Sequence, residues 1–310
     1  MSRKLLNLCM TALLSVVSTA AWALSEVNGV YQIGTAEDLK DFAALVNGGE
    51  GMPYLNAVLT ADIDKGADLT MIGRDGLDYQ GCFDGAGHTI TIDAINQDAE
   101  GTAIFRNVGV KALIQNLKVQ GTIRTSQKLA AGIAVWSSGT IRGCYTDIEV
   151  TSAVAGDATH AGIVAVAYNG TFIEDCLAKF VIKGATTQNC GGIIGWCSGR
   201  SQIINCLVIS DGSEFDLNNG GSNNIGRNDG NLRVVDLTTY NNDIYNNRPT
   251  GASYNNYVTK QWGTNKATTV VAYDDLASGQ ICYQLNNDQS HINWVQTIGT
   301  DPFPVPADIP

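Results

Sequence analysis

The stretch Asn189–Cys206, "NCGGIIGWCSGRSQIINC", carries glycines and serines among bulky aliphatics, with a tryptophan and three cysteines. Close copies stand upstream: "HAGIVAVAYNGTFIEDC" ends at Cys176 and "AAGIAVWSSGTIRGC" ends at Cys144. Gly132, Gly162 and Gly192 recur at intervals of 30 residues. Ile141, Ile173 and Ile203 each stand three positions before a cysteine, and a fainter copy, "ALIQNLKVQGTI", puts Ile114 and Leu117 in those places. Self-similarity at such a period marks stacked units that complete their cores against one another.

Alternation identifies the units as strands. Cys144, Thr146, Ile148 and Val150 fall on one face, with Tyr145, Asp147 and Glu149 on the other. Cys176, Ala178, Phe180 and Ile182 repeat the pattern, as do Cys206 and Val208, and Leu117, Val119 and Ile123. Short period-two runs punctuated by Gly, Asn, Ser and Thr read as β-structure. A unit of about 30 residues with two or three short strands suits one coil of a parallel β-helix, in which each strand pairs with its equivalent about 4.8 Å away. The fold class is therefore all-β, a parallel β-helix or solenoid, over about residues 79–250. Cysteine then becomes a small apolar filler of a narrow core. Neighbouring rungs are near enough for a disulfide, so pairing among Cys144, Cys176, Cys190, Cys197 and Cys206 stays open, with buried free thiols as the simpler expectation.

Open strand edges at the ends of a stack need covering. In "TAEDLKDFAALVNGG", Thr35 is placed as an N-cap, Leu39, Phe42, Ala43 and Val46 follow at helical spacing, and Gly48 ends the run. This predicts a capping helix over 36–47 within an N-terminal cap, 24–78. In "AYDDLASGQICYQLNN", Ala277, Ile281 and Leu285 predict a short C-terminal helical cap within a tail, 251–310. The Asn-rich stretch from Leu217 to Tyr257 is expected to form irregular last coils, since Asn suits tight turns.

Residues 1–23 read as a secretory signal peptide: Arg3 and Lys4, an apolar run from Leu5 to Ala21, then Ala21-Trp22-Ala23. No other apolar run is long enough for a membrane span, so a secreted or cell-surface protein is expected, with the periplasm as another destination. The formal charge is −11, which speaks against nucleic acid, whose phosphates demand clustered Lys and Arg. Removing Cys9 with the leader leaves an odd number of the 8 cysteines, a poor disulfide framework. No CxxC spacing accompanies the three histidines, so neither a metal nor a cofactor is expected.

The repeated phrases "GGIIG", "AGIVA" and "AGIAV", each followed by I-x-x-C, resemble GLUG-type repeats of secreted and surface proteins of gut Bacteroidetes. The leader segment "YQIGTAEDLKDFAALVNGG" and the tail "LASGQICYQLNNDQSHINWVQTIGTDPFPV" are similar to segments that flank such repeats. The resemblance implies a right-handed parallel β-helix in an adhesin-like setting and carries no catalytic residues. Ala131 and Ala161 depart from it where Gly191 keeps a glycine.

Chemistry on such a scaffold would need paired carboxylates. Asp147 and Glu149 share the outward face, but Lys179 falls opposite Asp147 one coil later, and an exposed ion pair is the simpler reading. Asp62, Asp64 and Asp68 lack the spacing of a calcium loop, and His88 in "DGAGH" reads as a turn residue. No catalytic residue is assigned. Binding suits a long flat ladder better. Trp136 and Trp196 occupy equivalent places two coils apart, about 9.6 Å by rung spacing, with Val166 between; alternation leaves open whether they face solvent or core. Tyr145 is expected outward, and Tyr168 sits near a turn. These four form the candidate surface for a polysaccharide or a host or bacterial surface glycoprotein. A polysaccharide lyase or glycoside hydrolase, and a purely structural display module, are the alternatives.

Overall fold

A computed structural model describes residues 24–309 apart from 50, 69, 97–100, 155–157, 185–189, 198–200, 210–252, 255, 259–267 and 287–291. The signal-like leader and most of the Asn-rich stretch lie outside the described residues.

The chain is a parallel β-solenoid. Each central coil lays one strand into each of three walls. A 9-stranded wall holds Leu113–Gln115, Thr140–Arg142, Phe172–Glu174 and Gln202–Ile204. A long wall of 8 strands holds Thr89–Asn96, Lys118–Thr125, Tyr145–Ser152 and Leu177–Gly184. A short wall of 4 strands holds Phe105–Val108, Ala134–Ser137, Val164–Ala167 and Ile194–Cys197. Pairing runs parallel with identical residues on one rung: Ile114, Ile141, Ile173 and Ile203 stack in file. Val119, Thr146, Ala178 and Val208 do the same in the long wall.

The corner between the first and long walls explains part of the repeated phrase. Asn116, Gly143, Asp175 and Asn205 hold φ of 51°, 58°, 53° and 53°. Each stands immediately before Leu117, Cys144, Cys176 or Cys206. Left-handed backbone is tolerated by glycine and, through short polar side chains, by Asn and Asp, so those residue types are what the turn requires. The constant glycines answer a different need. A Cβ on Gly132 would lie 2.5 Å from the Gly162 carbonyl oxygen, and one on Gly162 would strike the carbonyl of Gly192 and come 2.8 Å from the Ala178 methyl. Coil stacks on coil too closely here for any side chain.

The cysteines form an internal file. Cys144, Cys176 and Cys206 are fully buried, and their thiols donate to Arg142, Glu174 and Ile204 carbonyls at 3.3, 3.2 and 3.3 Å. Burial pushes the Cys144 and Cys176 thiols well above their usual range. Among the described residues Cys82, Cys144, Cys176, Cys190, Cys206 and Cys282 are thiols outside any disulfide, and the Cys197 side chain lies outside the described residues.

A helix over Ala36–Asn47 covers the first end of the core. Thr35 Oγ1 accepts the Asp38 amide at 3.1 Å, and Asp38 Oδ2 accepts the Gly34 amide at 3.1 Å, a reciprocal cap. Leu39, Phe42, Ala43 and Val46 are buried. Phe42 meets Tyr79 and Phe83 at ring-centroid distances of 6.2 and 6.1 Å. Burying a side chain of this size is worth about 1.5–3 kcal/mol.

The C-terminal segment packs against the outer side of the long wall. Short helices Tyr273–Ala277 and Gln280–Leu285, and an antiparallel pair Trp294–Val295 with Val305–Pro306, join a second apolar cluster. Its solenoid members are Tyr145, Leu177, Leu207 and Tyr257, one outward file across successive rungs, with Ile209 two positions past Leu207 on the same strand.

Candidate functional site

That docking corrects one expectation. Tyr145 does leave the coil core, as its alternation requires, but only 7% of it is exposed. The C-terminal cluster packs on it, and the Lys118 ammonium lies 5.2 Å from its ring centroid. Tyr145 is a packing residue under a tail and offers no ring to a ligand.

The remaining candidates meet on the short wall. Trp136 pairs with Val166, and Val166 with Trp196, so the two indoles stand two rungs apart in one file. Both are half-buried and pack on a satellite cluster that includes Val135, Ala165 and Val166, outside the main core. They are therefore neither free platforms nor core fillers. The residue before Trp136 in this file is Asn107, and its neighbour Arg106 lies with its guanidinium carbon 5.0 Å from the Trp136 centroid. Arg106 Nε and Nη2 donate to Asp75 Oδ1 and Oδ2 at 3.2 and 3.3 Å, while the Asp75 side chain is 75% exposed. Asn107 Nδ2 donates to Asp78 Oδ1 at 3.0 Å. Tyr168, one position past the strand Val164–Ala167, is 43% exposed.

The result is a fixed fork. Asp75 and Arg106 are bidentate, which orients both planes, and the pair sits against the half-exposed indole of Trp136. The arrangement puts an exposed carboxylate with spare lone pairs beside a guanidinium that lies over an indole ring. Sequence reading missed Asp75 and Arg106 because neither belongs to a repeat phrase. A signal existed: Arg106 follows Phe105 in the strand whose register leads to Trp136.

The other polar groups have structural partners. Lys179 Nζ lies 3.0 Å from Asp147 Oδ2, and Lys183 Nζ 3.0 Å from Glu149 Oε2. Glu174 receives Arg142 and Asp93 receives Arg124 in the same cross-rung manner. Exposed pairs of this kind contribute about 0–1 kcal/mol each. His88 Nδ1 stands 3.3 Å from Asp62 Oδ1, which also accepts the Thr89 amide at 2.9 Å, and that backbone bond leads in holding the Asp62 carboxyl below its ordinary range. His160 Nε2 and Ser152 Oγ are 2.9 Å apart, but both residues are buried, at 0% and 2% exposure. Among the described residues no three His, Cys, Asp or Glu side chains gather as metal ligands. No helix among them is long and apolar enough to cross a membrane.

No protein-family model and no curated protein matches the chain. Among solved structures it is similar to one from Bacteroides ovatus described as that of a "putative immunoglobulin A1 protease". The TM-score is 0.57 at 18% identity, over 90% of this chain and 92% of that one. At that identity the likeness defines a class by fold, the parallel β-solenoid, and nothing finer.

Proposed function

We propose that this chain is an exported, surface-exposed solenoid that binds a glycan in an adhesin-like role and performs no catalysis itself. The observation that carries the reading is the Asp75–Arg106 fork seated on Trp136, in file with Trp196 on an outer wall. The signal-like leader and the GLUG-like phrases support export and a surface setting.

A degradative reading has less to stand on. Asp147 and Glu149 each hold a lysine across the rung, so neither is placed as an acid or a base. Serine-type proteolysis, one reading of the description of the structural neighbour, would need an accessible hydroxyl, and the Ser152–His160 contact is enclosed.

The test is one screen with two readings. Mature protein is incubated with plant, microbial and mucin polysaccharides and with immunoglobulin A1, scoring retention and new chain ends. Retention without new ends, lost in Trp136→Ala and Arg106→Ala variants that still fold, supports the proposal. New chain ends would overturn it in favour of an enzyme. Silence on both counts would leave a display scaffold.

A further inference from the structure

Where the short wall turns into the first wall, the connecting segments differ in length from coil to coil. Val108 pairs with Ser137 and Leu113 with Thr140, so Ser138 and Gly139 lie opposite Gly109, Val110, Lys111 and Ala112. One coil on, Ser137 pairs with Ala167 and Thr140 with Phe172, so the same short turn faces Tyr168, Asn169, Gly170 and Thr171. Both flanking turns are longer and stand proud as ridges. Both lean on the short one. Thr171 Oγ1 donates to the Ser137 carbonyl at 2.6 Å. A Cβ on Gly170 would lie 3.1 Å from the Ser138 oxygen, and one on Gly139 would lie 2.5 Å from the Gly109 oxygen. The recess has fixed walls.

A second short turn, Gln80–Gly81, shows what filling such a recess looks like. It lies between Tyr79, bridged to Val108, and Cys82, paired with Leu113. There the Gln80 carboxamide occupies the space a Gly109 side chain would take, and its Oε1 accepts the Lys111 amide at 3.0 Å. At the Ser138–Gly139 turn the only side chain is a hydroxymethyl group.

Each rim carries one exposed apolar side chain. Val110 is 68% and Tyr168 43% exposed. Lys111 sends its ammonium over the Tyr54 ring, 5.4 Å from the centroid, toward the N-terminal side and away from the recess. Arg106 is engaged by Asp75. The floor begins two residues after Trp136. The ridges are two rungs apart, about 9.6 Å between backbones, so a helix, about 10–12 Å across, cannot enter. An added peptide strand would need open ladder groups. The amides of Gly109, Ser138 and Tyr168 already bond to Tyr79, Val108 and Ser137.

We propose that the recess over Ser138–Gly139 is a subsite for one ring of a neutral sugar chain, with Tyr168 as its apolar wall and Trp136 at its entrance. A tyrosine face suits the C–H face of a sugar, and its hydroxyl is a polar handle. Ser138 at the floor supplies a hydroxyl as polar partner. Among the described residues the cations nearest the recess are engaged elsewhere, Lys111 over Tyr54 and Arg106 by Asp75, which favours an uncharged sugar. This inference rests on the glycan-binding reading and adds the place and the charge class.

The experiment measures retention of the mature protein on galactomannan, xyloglucan and mixed-linkage β-glucan, and on polygalacturonate and hyaluronan, at low and high salt. Ser138→Trp fills the recess, Tyr168→Ala removes its wall, and Trp136→Ala probes the neighbouring site. Circular dichroism and thermal melting check folding. The expected result is salt-insensitive retention on a neutral polymer, reduced tenfold or more by Ser138→Trp and by Tyr168→Ala at unchanged melting temperature. If Ser138→Trp binds like the parent while Trp136→Ala does not, the recess is wrong and the glycan reading survives. Retention only on acidic polymers, lost in salt, overturns the neutral class. If no polysaccharide retains the parent, both fall.

Discussion

Trp294 donates its indole N–H to the Asp175 carboxylate at 3.2 Å, joining residues 119 positions apart. Asn293 Nδ2 donates to the other oxygen at 3.0 Å. Asp175 is itself the left-handed corner residue before Cys176, so one side chain serves the coil turn and anchors the C-terminal segment to the long wall.

This anchor has a pH signature. Burial pushes the Asp175 carboxyl up to about 6, against the partial relief that the Trp294 and Asn205 hydrogen bonds provide; Glu174 adds to the rise and Arg142 opposes it. A folded-state value above the unfolded one means the folded protein binds the proton more tightly. The contribution is therefore fully present below the unfolded value of 3.8 and is lost as pH rises through about 6, on the order of 3 kcal/mol. Asp175→Asn, which keeps a residue suited to left-handed backbone, should remove that slope. Urea unfolding at pH 4.5 and 7 should show a smaller pH difference in the variant than in the parent. Equal slopes would mean that Asp175 does not titrate in this range.

Removing the donor tests the same contact from the other side. Trp294→Phe keeps an aromatic in the second cluster but deprives the buried carboxylate of a partner, costing about 1–3 kcal/mol at neutral pH. The loss should shrink in the Asp175→Asn background, because a neutral amide oxygen accepts the indole N–H more weakly than a carboxylate and costs less when left without it. Additive losses in a double-mutant cycle would count against it.

Thiol labelling checks the internal file. Cys144, Cys176 and Cys206 are fully buried, so an aqueous thiol reagent should leave them unmodified in the folded protein and modify them in denaturant. Peptide mapping by mass spectrometry distinguishes them from Cys82 and Cys282, which are only half-buried. Rapid native labelling of Cys176 would mean the coils are not stacked as described.

Gly162→Ala is predicted to be more damaging than its size suggests. Its added methyl would strike the Gly192 carbonyl and press on Ala178, so the rungs must separate. The expected cost is about 1–3 kcal/mol, read as a lowered urea midpoint. Gly49→Ala, at a position open to solvent on the side where a Cβ would stand, is the control and should change little.

Much of the scaffold is legible in sequence because its interactions repeat locally. Period-two alternation tells Ile148 and Val150 from Asp147 and Glu149, and parallel in-register stacking then places Lys179 beside Asp147. Thr35 and Asp38 announce the first helix because a cap and its partner lie within one turn. The candidate surface is legible only in part. Trp136 and Trp196 declare their shared file through the repeat, but not the satellite cluster that half-covers them.

What the amino-acid order alone determined was the periodic part: the coil length, the inward files, the rung partners and the capping helix, all set by neighbours in sequence or one repeat away. Tertiary structure decided what non-repeating segments do when they meet that stack. It brought Asp75 to Arg106 and Arg106 to Trp136, and it laid the tail across Tyr145 through Asp175. Those contacts depend on where separate pieces of chain arrive in space, which no local periodicity encodes. Tyr145, outward by every rule of alternation, is buried for that reason.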